Sequence, residues 1–324
     1  MLTRRRLIAL STAQALAPGL FIREGRSQSF PDKPVRIVVP VAAGGPTDIV
    51  ARTLADRLSA MWGQQVFIEN KSGAGNNIGI EYVARSNPDG YTLLFDPGSI
   101  AANTSLYNKL SYDAIADFAP VSLVTLVDYF MFVPNSSPAH SVKEFIEYVK
   151  SRPDQLKMGS PGTGSAPYLA EMLFLQMADL KMTHVPYRGA APAFIDLIPG
   201  RIDCYFGSGT LLSYSRSGQV RVVGVTGPKR NAAAPEVPAI GETVPGYEVV
   251  SSQALFAPAK TPPDVIAKIS TDTNTVLADP AIKAKLAETG YVARGSSPEE
   301  LENLLKTDIA KWTALAKSAN LKLD

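Results

Sequence analysis

The chain has 324 residues, enough for two modest domains. Its 45% hydrophobic and 19% charged composition is that of an ordinary globular protein, and its 24 glycines and 25 prolines are scattered, which excludes a disordered tail. Residues 1–29 hold five of the 32 basic side chains and one of the 30 acidic ones; without them the net charge is −2, so the pI near 8.5 is an N-terminal effect and nucleic acid is excluded as a partner.

In chain order, "MLTRRRLIALSTAQALAPGLFIREGRSQS" sets Arg4, Arg5 and Arg6 before a mostly apolar run to Ile22, with small residues at Ser27 and Ser29. This pattern predicts a signal peptide over 1–29, cleaved before Phe30. The run is interrupted by Pro18 and Gly19, short of the roughly 20 residues a membrane span needs. Thr3–Ile8 loosely fits a twin-arginine signal, so both export routes stay open. The leader has no cysteine, which excludes a lipoprotein anchor, and Cys204, alone in the chain, can form no intrachain disulfide. A periplasmic protein follows.

"VRIVV" (35–39) predicts a strand. The next helix opens at Pro46, with Asp48 in its first turn, an apolar stripe of Val50, Leu54, Leu58 and Met61, and Gly63 at its end. "QVFIE" (65–69), the loop "NKSGAGNN", the helix "IGIEYVARS" and the strand in "DGYTLLFD" complete a βαβαβ order, which favours a parallel sheet. A second block repeats the design: strand "YFMFVP" (129–134), a helix capped by Ser141 and Glu144, then strand, Gly/Ser loop and helix in "LKMGSPGTGSAPYLAEMLFLQM" (156–177). "MTHVPY" (182–187), "APAFIDLI" (191–198) and "QVRVVGVTG" (219–227) follow as strand, helix and strand. The last third predicts a strand at 249–258, helices from Pro262 and over 279–290, and a final helix capped by Ser297 and Glu300.

Catalytic and metal-binding patterns are absent. Two histidines and one cysteine cannot build a structural zinc site, HExxH does not occur, and neither "GSGTL" nor "GTGSA" reads as a nucleophile elbow. No metal and no cofactor is expected, and no enzyme. Two helix N-termini, each behind a small-residue loop, are the remaining candidates: Ala42–Gly45 with Thr47, and Ser160, Gly162, Thr163, Gly164 and Ser165. Unpaired N–H groups and the helix dipole favour an anion at such ends. Neither loop carries the lysine of a nucleotide-binding loop, which points to a carboxylate rather than a triphosphate.

The stretches "PVRIVVPVAAGGPTDIVARTLADRLSAMWGQQVFIENKSGAGNNIG", "NPDGYTLLF", "HVPYRGAAPAFIDLIPGRID" and "LFAPAKTPPDVIAKI" resemble the solute-binding proteins of tripartite tricarboxylate transporters, the Bug or TctC-like family. The resemblance covers essentially the chain beyond the leader. It implies an α/β, two-lobed periplasmic clamshell of type II-like form, each lobe a mostly parallel sheet flanked by helices. It also implies delivery of an organic acid to a membrane permease of large and small subunits. Its AGGxxD loop falls on Ala43, Gly44, Gly45 and Asp48, and its Gly-x-Gly loop on Gly162 and Gly164, which together cradle a carboxylate. The turn from Asp96 to Ser99 and the "VPYRG" turn at Tyr187, Arg188 and Gly189 lie beside the ligand, and Asp203 of "GRID" is counted with them.

Departures fall where specificity would lie. Tyr168 replaces a histidine, Gly207 an aspartate, and "SQALFAP" a segment that often carries tryptophan. The last two changes are expected to enlarge or neutralise the distal pocket. Tyr168 is expected to stack on an aromatic acid or to hydrogen-bond a carboxylate, so aromatic acids stand beside di- and tricarboxylates. Chain order predicts one lobe over 30–128 plus 228–324, the other over 129–227, and a monomer. A protein that passes its ligand signal to a membrane sensor kinase would use the same chemistry, and an enzyme acting on a small carboxylate is the third class.

Overall fold

The computed structural model describes residues 30–187, 189–288, 290–318 and Leu321; the expected signal peptide over 1–29 and the candidate Arg188 lie outside them. The chain runs β1 (Val35–Val39), α1 (Pro46–Trp62), β2 (Val66–Asn70), α2 (Asn77–Ala84), β3 (Thr92–Asp96), α3 (Ser99–Leu106), β4 (Phe118–Pro134), α4 (Val142–Lys150), β5 (Lys157–Ser160) and α5 (Ala166–Met177). It continues with β6 (Thr183–Pro186), α6 (Ala190–Leu197), β7 (Cys204–Ser208), α7 (Leu212–Arg216), β8 (Val220–Val225), β9 (Val250–Pro258), α8 (Pro263–Ala278), α9 (Pro280–Glu288), β10 (Tyr291–Ala293) and α10 (Pro298–Ser318).

Helix α1 forms for the reasons visible in its sequence. Pro46 sits at its first position with φ already helical, and Gly63 ends it in the left-handed region, its N–H bonded to Ser59 O at 3.1 Å. Val50, Leu54 and Leu58 are buried, but Met61 is 45% exposed, which corrects the predicted stripe. At 3.6 residues per turn the stripe continues from Leu58 to Trp62, whose indole N–H donates to Asp272 at 2.6 Å. The final helix α10 carries a complete capping box: Ser297 accepts from Glu300 N at 3.1 Å and Glu300 accepts from Ser297 N at 2.9 Å.

Strand polarity organises the molecule. In the first sheet β2, β1 and β3 are parallel, and β9 pairs antiparallel with β3 and with the first half of β4. In the second, β6, β5 and β7 are parallel, and β7 and β8 pair antiparallel with the second half of β4. The same 17-residue strand therefore belongs to both sheets, where the sequence reading had only 129–134. Its first half hides from that reading because Pro120 and the buried Ser122 and Thr125 interrupt the apolar pattern. Those polar side chains make sense only beside their neighbours: Ser122 Oγ lies 3.0 Å from Asn274 Oδ1, and Thr125 Oγ1 donates to Gln253 Oε1 at 3.1 Å. Register shifts at three points along β4 bend it between the sheets.

The crossing is braced at Tyr129, whose N–H donates to Thr226 Oγ1 while its carbonyl accepts from Thr226 N, both at 2.8 Å. After β8 the chain stays on the second sheet, with Ala239 bridged to Val225 and Tyr247 Oη donating to Ala170 O at 3.0 Å, before β9 returns it to the first.

Helix α2 lies against the chain leaving β1. A Cβ at the buried Gly79 would come 2.8 Å from Lys71 O and 2.9 Å from Pro40 Cβ. In a free helix Gly→Ala stabilises by about 1 kcal/mol. Here Gly79→Ala is expected to destabilise by about 1–3 kcal/mol in urea titration, because the added methyl overpacks this contact; a gain in stability would show that the contact yields.

Candidate functional site

The two sets of parallel strands end at one seam. Through β9, β3 runs in the direction of β4, and its last residue Asp96 lies level with Ala254, which pairs Leu123 of β4. Strand β7 runs against β4 and ends with Ser208 opposite Tyr129. The carboxyl ends of β1 and β3 therefore face those of β5 and β7 across the stretch 125–129, the position at which open α/β sheets hold ligands.

From the first sheet the seam receives Ala43, Gly44, Gly45, Thr47 and Asp48, and from the turn after β3, Asp96 and Ser99. Gly44 adopts φ +82°, a conformation that favours glycine, and turns its N–H back onto Asp48 Oδ2 at 2.8 Å. Asp48 also takes Arg52 Nε at 2.8 Å and Asn70 Nδ2 at 2.9 Å. Burial pulls this carboxyl upward, but the bonds from Arg52, Gly44 N–H and Asn70 outweigh it and hold it below the usual range. Asp48 is thus the internal clamp of its loop, and the Gly44 N–H is occupied. Gly45 and Thr47 carry N–H groups with no acceptor among the described residues, at the positive end of a 17-residue helix.

Asp96 is 1% exposed and accepts from Gly98 N at 2.8 Å and Ile100 N at 3.1 Å, while its Oδ1 has no partner among the described residues. Burial pushes it up to about 7 against those backbone donors. Asp308 borders the same small cavity and is pushed up to about 6 by burial, with Lys311 opposing. Ser99 accepts from Asn76 Nδ2 at 2.6 Å.

The second sheet contributes Ser160, Gly162, Thr163, Gly164 and Ser165. Gly162 (φ +136°) donates its N–H to Ser160 Oγ at 3.2 Å, and Ser160 Oγ meets His184 Nε2 at 2.7 Å. Burial lowers the His184 pKa, which favours the neutral ring, and the tautomer sets which of the two partners donates. Ser165 caps α5, accepting from Tyr168 N at 3.4 Å. The N–H groups of Thr163, Gly164 and Ala166 have no acceptor among the described residues.

Three candidates, Tyr168, Gly207 and Asp203, sit differently from their sequence reading. The ring of Tyr168 turns into the core, 6% exposed, and packs at a 45° tilt 4.6 Å from the His184 ring, so in this structure it lies against a histidine instead of standing open. Gly207 opens no pocket, because a Cβ there would meet Leu211 at 2.4 Å and the Tyr205 ring at 2.9 Å; those side chains already fill the space an aspartate would take. Asp203 lies at the opposite end of β7, accepting from Lys157 N at 2.8 Å and stapling the start of β5. Tyr187 follows β6 and lies beside the second loop, its N–H donating to Ser160 O and its hydroxyl to Asp196, both at 2.9 Å.

Sequence reading missed Arg52, Asn70 and Gln253. Arg52 was legible as the residue four after Asp48 on one helix face. The other two come from strands distant in sequence and carry no local signal.

Buried acids give this site an unusual pH dependence. A carboxyl whose folded pKa lies above its unfolded value binds more protons when folded, so its stability contribution is lost as pH rises between the two values. For Asp96 that window runs from 3.8 to about 7, and Asp308 and the fully buried Glu171 act in the same direction. His184 opposes them below its ordinary 6.5. The melting temperature is expected to be higher at pH 5.5 than at pH 7.5, and Asp96→Asn to shrink that difference; an unchanged difference in the variant would show that Asp96 is ionised throughout.

Residues 50–321 match the family described as "Tripartite tricarboxylate transporter family receptor". The periplasmic binding protein BugD is 33% identical with a TM-score of 0.81, over 91% of this chain and 100% of that one. An R. palustris protein solved with adipate is 35% identical at TM-score 0.84, over 91% and 100% of the two chains. MatC from Rhodopseudomonas palustris, with bound malate, is 31% identical at TM-score 0.79, over 88% and 99%. The chain belongs to the tripartite tricarboxylate transporter receptor family, with the fold of its periplasmic binding proteins.

Proposed function

We propose that the chain captures a small organic dicarboxylate in the seam and delivers it to the permease of a tripartite transporter, acting in the periplasm as a monomer after loss of residues 1–29. What supports this reading is the pair of loops at the facing strand ends of the two sheets, whose N–H groups at Gly45 and Thr47 and at Thr163, Gly164 and Ala166 have no acceptor among the described residues. One carboxylate accepts from such donors at a helix N-terminus without a lysine. The burial of Tyr168 and the filled space at Gly207 favour an aliphatic over an aromatic acid, as do the adipate and malate of the two R. palustris relatives.

The lobes in this proposal are 30–128 with the C-terminal segment from Val250, and 129–249. The second boundary is later than chain order alone gives, because Ala239 and Tyr247 pack on the second sheet. Closure would bend β4 near Tyr129 and be driven by a ligand that touches both loops.

Thermal denaturation of residues 30–324, refolded to strip any trapped ligand, with adipate, malate, citrate, aspartate and benzoate checks this. A ligand at 100 times its Kd adds about 2.7 kcal/mol. Stabilisation by adipate or malate is the expected outcome; a response to benzoate alone would reverse the aliphatic assignment, and no response to any acid would sink the carboxylate reading.

A further inference from the structure

Gln253 does something in this seam that no loop motif announces. It is 3% exposed, and it lies on β9 one residue beyond the level at which β3 ends, opposite Thr125 of β4. Both ends of its amide are engaged. Thr125 Oγ1 donates to Oε1 at 3.1 Å, and Nε2 donates to Thr47 Oγ1 at 3.0 Å. Thr125 is itself buried. Burying an amide in a sheet of this kind costs free energy unless its polar atoms are paired, and here Oε1 is turned to Thr125 and Nε2 to Thr47.

That orientation has a chemical consequence at Thr47. A primary amide presents an acceptor at one end and donors at the other. With Oε1 held by Thr125, the end facing α1 is a donor, so the Thr47 oxygen accepts and its one hydroxyl proton is left to be given away. That proton has no acceptor among the described residues.

We propose that Gln253 is a positioning residue that fixes Thr47 as a hydroxyl donor to a ligand carboxylate oxygen, selecting an acceptor-only group over a carboxamide. The inference rests on the carboxylate reading above and adds to it the polarity of one contact and the buried residue that sets it.

Binding calorimetry tests it, with the tightest binder among adipate, malate, citrate, aspartate and benzoate as probe and the monoamide of that acid as control. Thr47→Val and Gln253→Met are each expected to weaken the acid about tenfold. The double variant should be no weaker than either single one, because both remove the same donated proton. Thr47→Ser should restore affinity to within about threefold, since it keeps the hydroxyl. Gln253→Met should also narrow the preference for the acid over its monoamide, which a purely structural role for the glutamine would leave alone. Thr47 is only half-buried, so Thr47→Val, Thr47→Ser and the acid-to-monoamide ratio carry the test if Gln253→Met does not fold. Full affinity in Thr47→Val, or losses that add in the double variant, would overturn the assignment while leaving the carboxylate reading intact. Binding of none of the five acids to the unaltered chain would overturn both.

Discussion

One strand holds this molecule together. β4 gives its first half to β9 and β10 and its second half to β7 and β8, so the two sheets share a continuous backbone with no flexible linker there. Because ladder hydrogen bonds fix direction as well as pairing, the polarity of β4 decides where every other strand ends. The parallel strands of the first sheet point toward the seam and those of the second point back at it. The place of the site follows from that, before any site side chain is considered. The short bracing contacts at Tyr129 and Thr226 sit where the strand passes from one sheet to the other.

Charge is handled at the seam in a way that suits an anion. Asp48 and Asp96 both stand at loops that follow parallel strands, yet their environments separate them. Asp48 is ringed by Arg52, Asn70 and a backbone N–H and stays ionised inside its own loop, its charge matched by the guanidinium. Asp96 has only backbone donors and one oxygen without a partner among the described residues, and burial raises it to about 7. Burial likewise raises the Glu171 carboxyl well above its usual range, with only the Phe206 N–H opposing. The seam therefore presents helix dipoles, N–H groups and hydroxyls with little negative charge to repel a carboxylate.

The small-residue loops were legible because they are local. A glycine with positive φ, a proline at a helix start and an aspartate in the first turn each act within a few residues of chain, and Gly44, Pro46 and Asp48 show all three. The capping box of α10 was legible for the same reason. The first half of β4 was not, since buried Ser122 and Thr125 are satisfied by Asn274 and Gln253, more than a hundred residues away. Nor was the packing at Gly207 or Tyr168, where Leu211, Tyr205 and His184 occupy space that the sequence reading had left for a ligand.

What the sequence by itself determined, then, is most of the longer elements and the two anion-favouring helix ends, because propensity, capping and turn chemistry are properties of neighbouring residues; the first half of β4 and the short α3, β7, α7 and β10 were not among them. Its motifs also carried the family. Only the tertiary structure decided that both helix ends open on one seam, that the Gly44 N–H belongs to Asp48, and that Gln253 reaches Thr47. Those depend on strand direction and on contacts between residues far apart in the chain, which pattern along the chain does not encode.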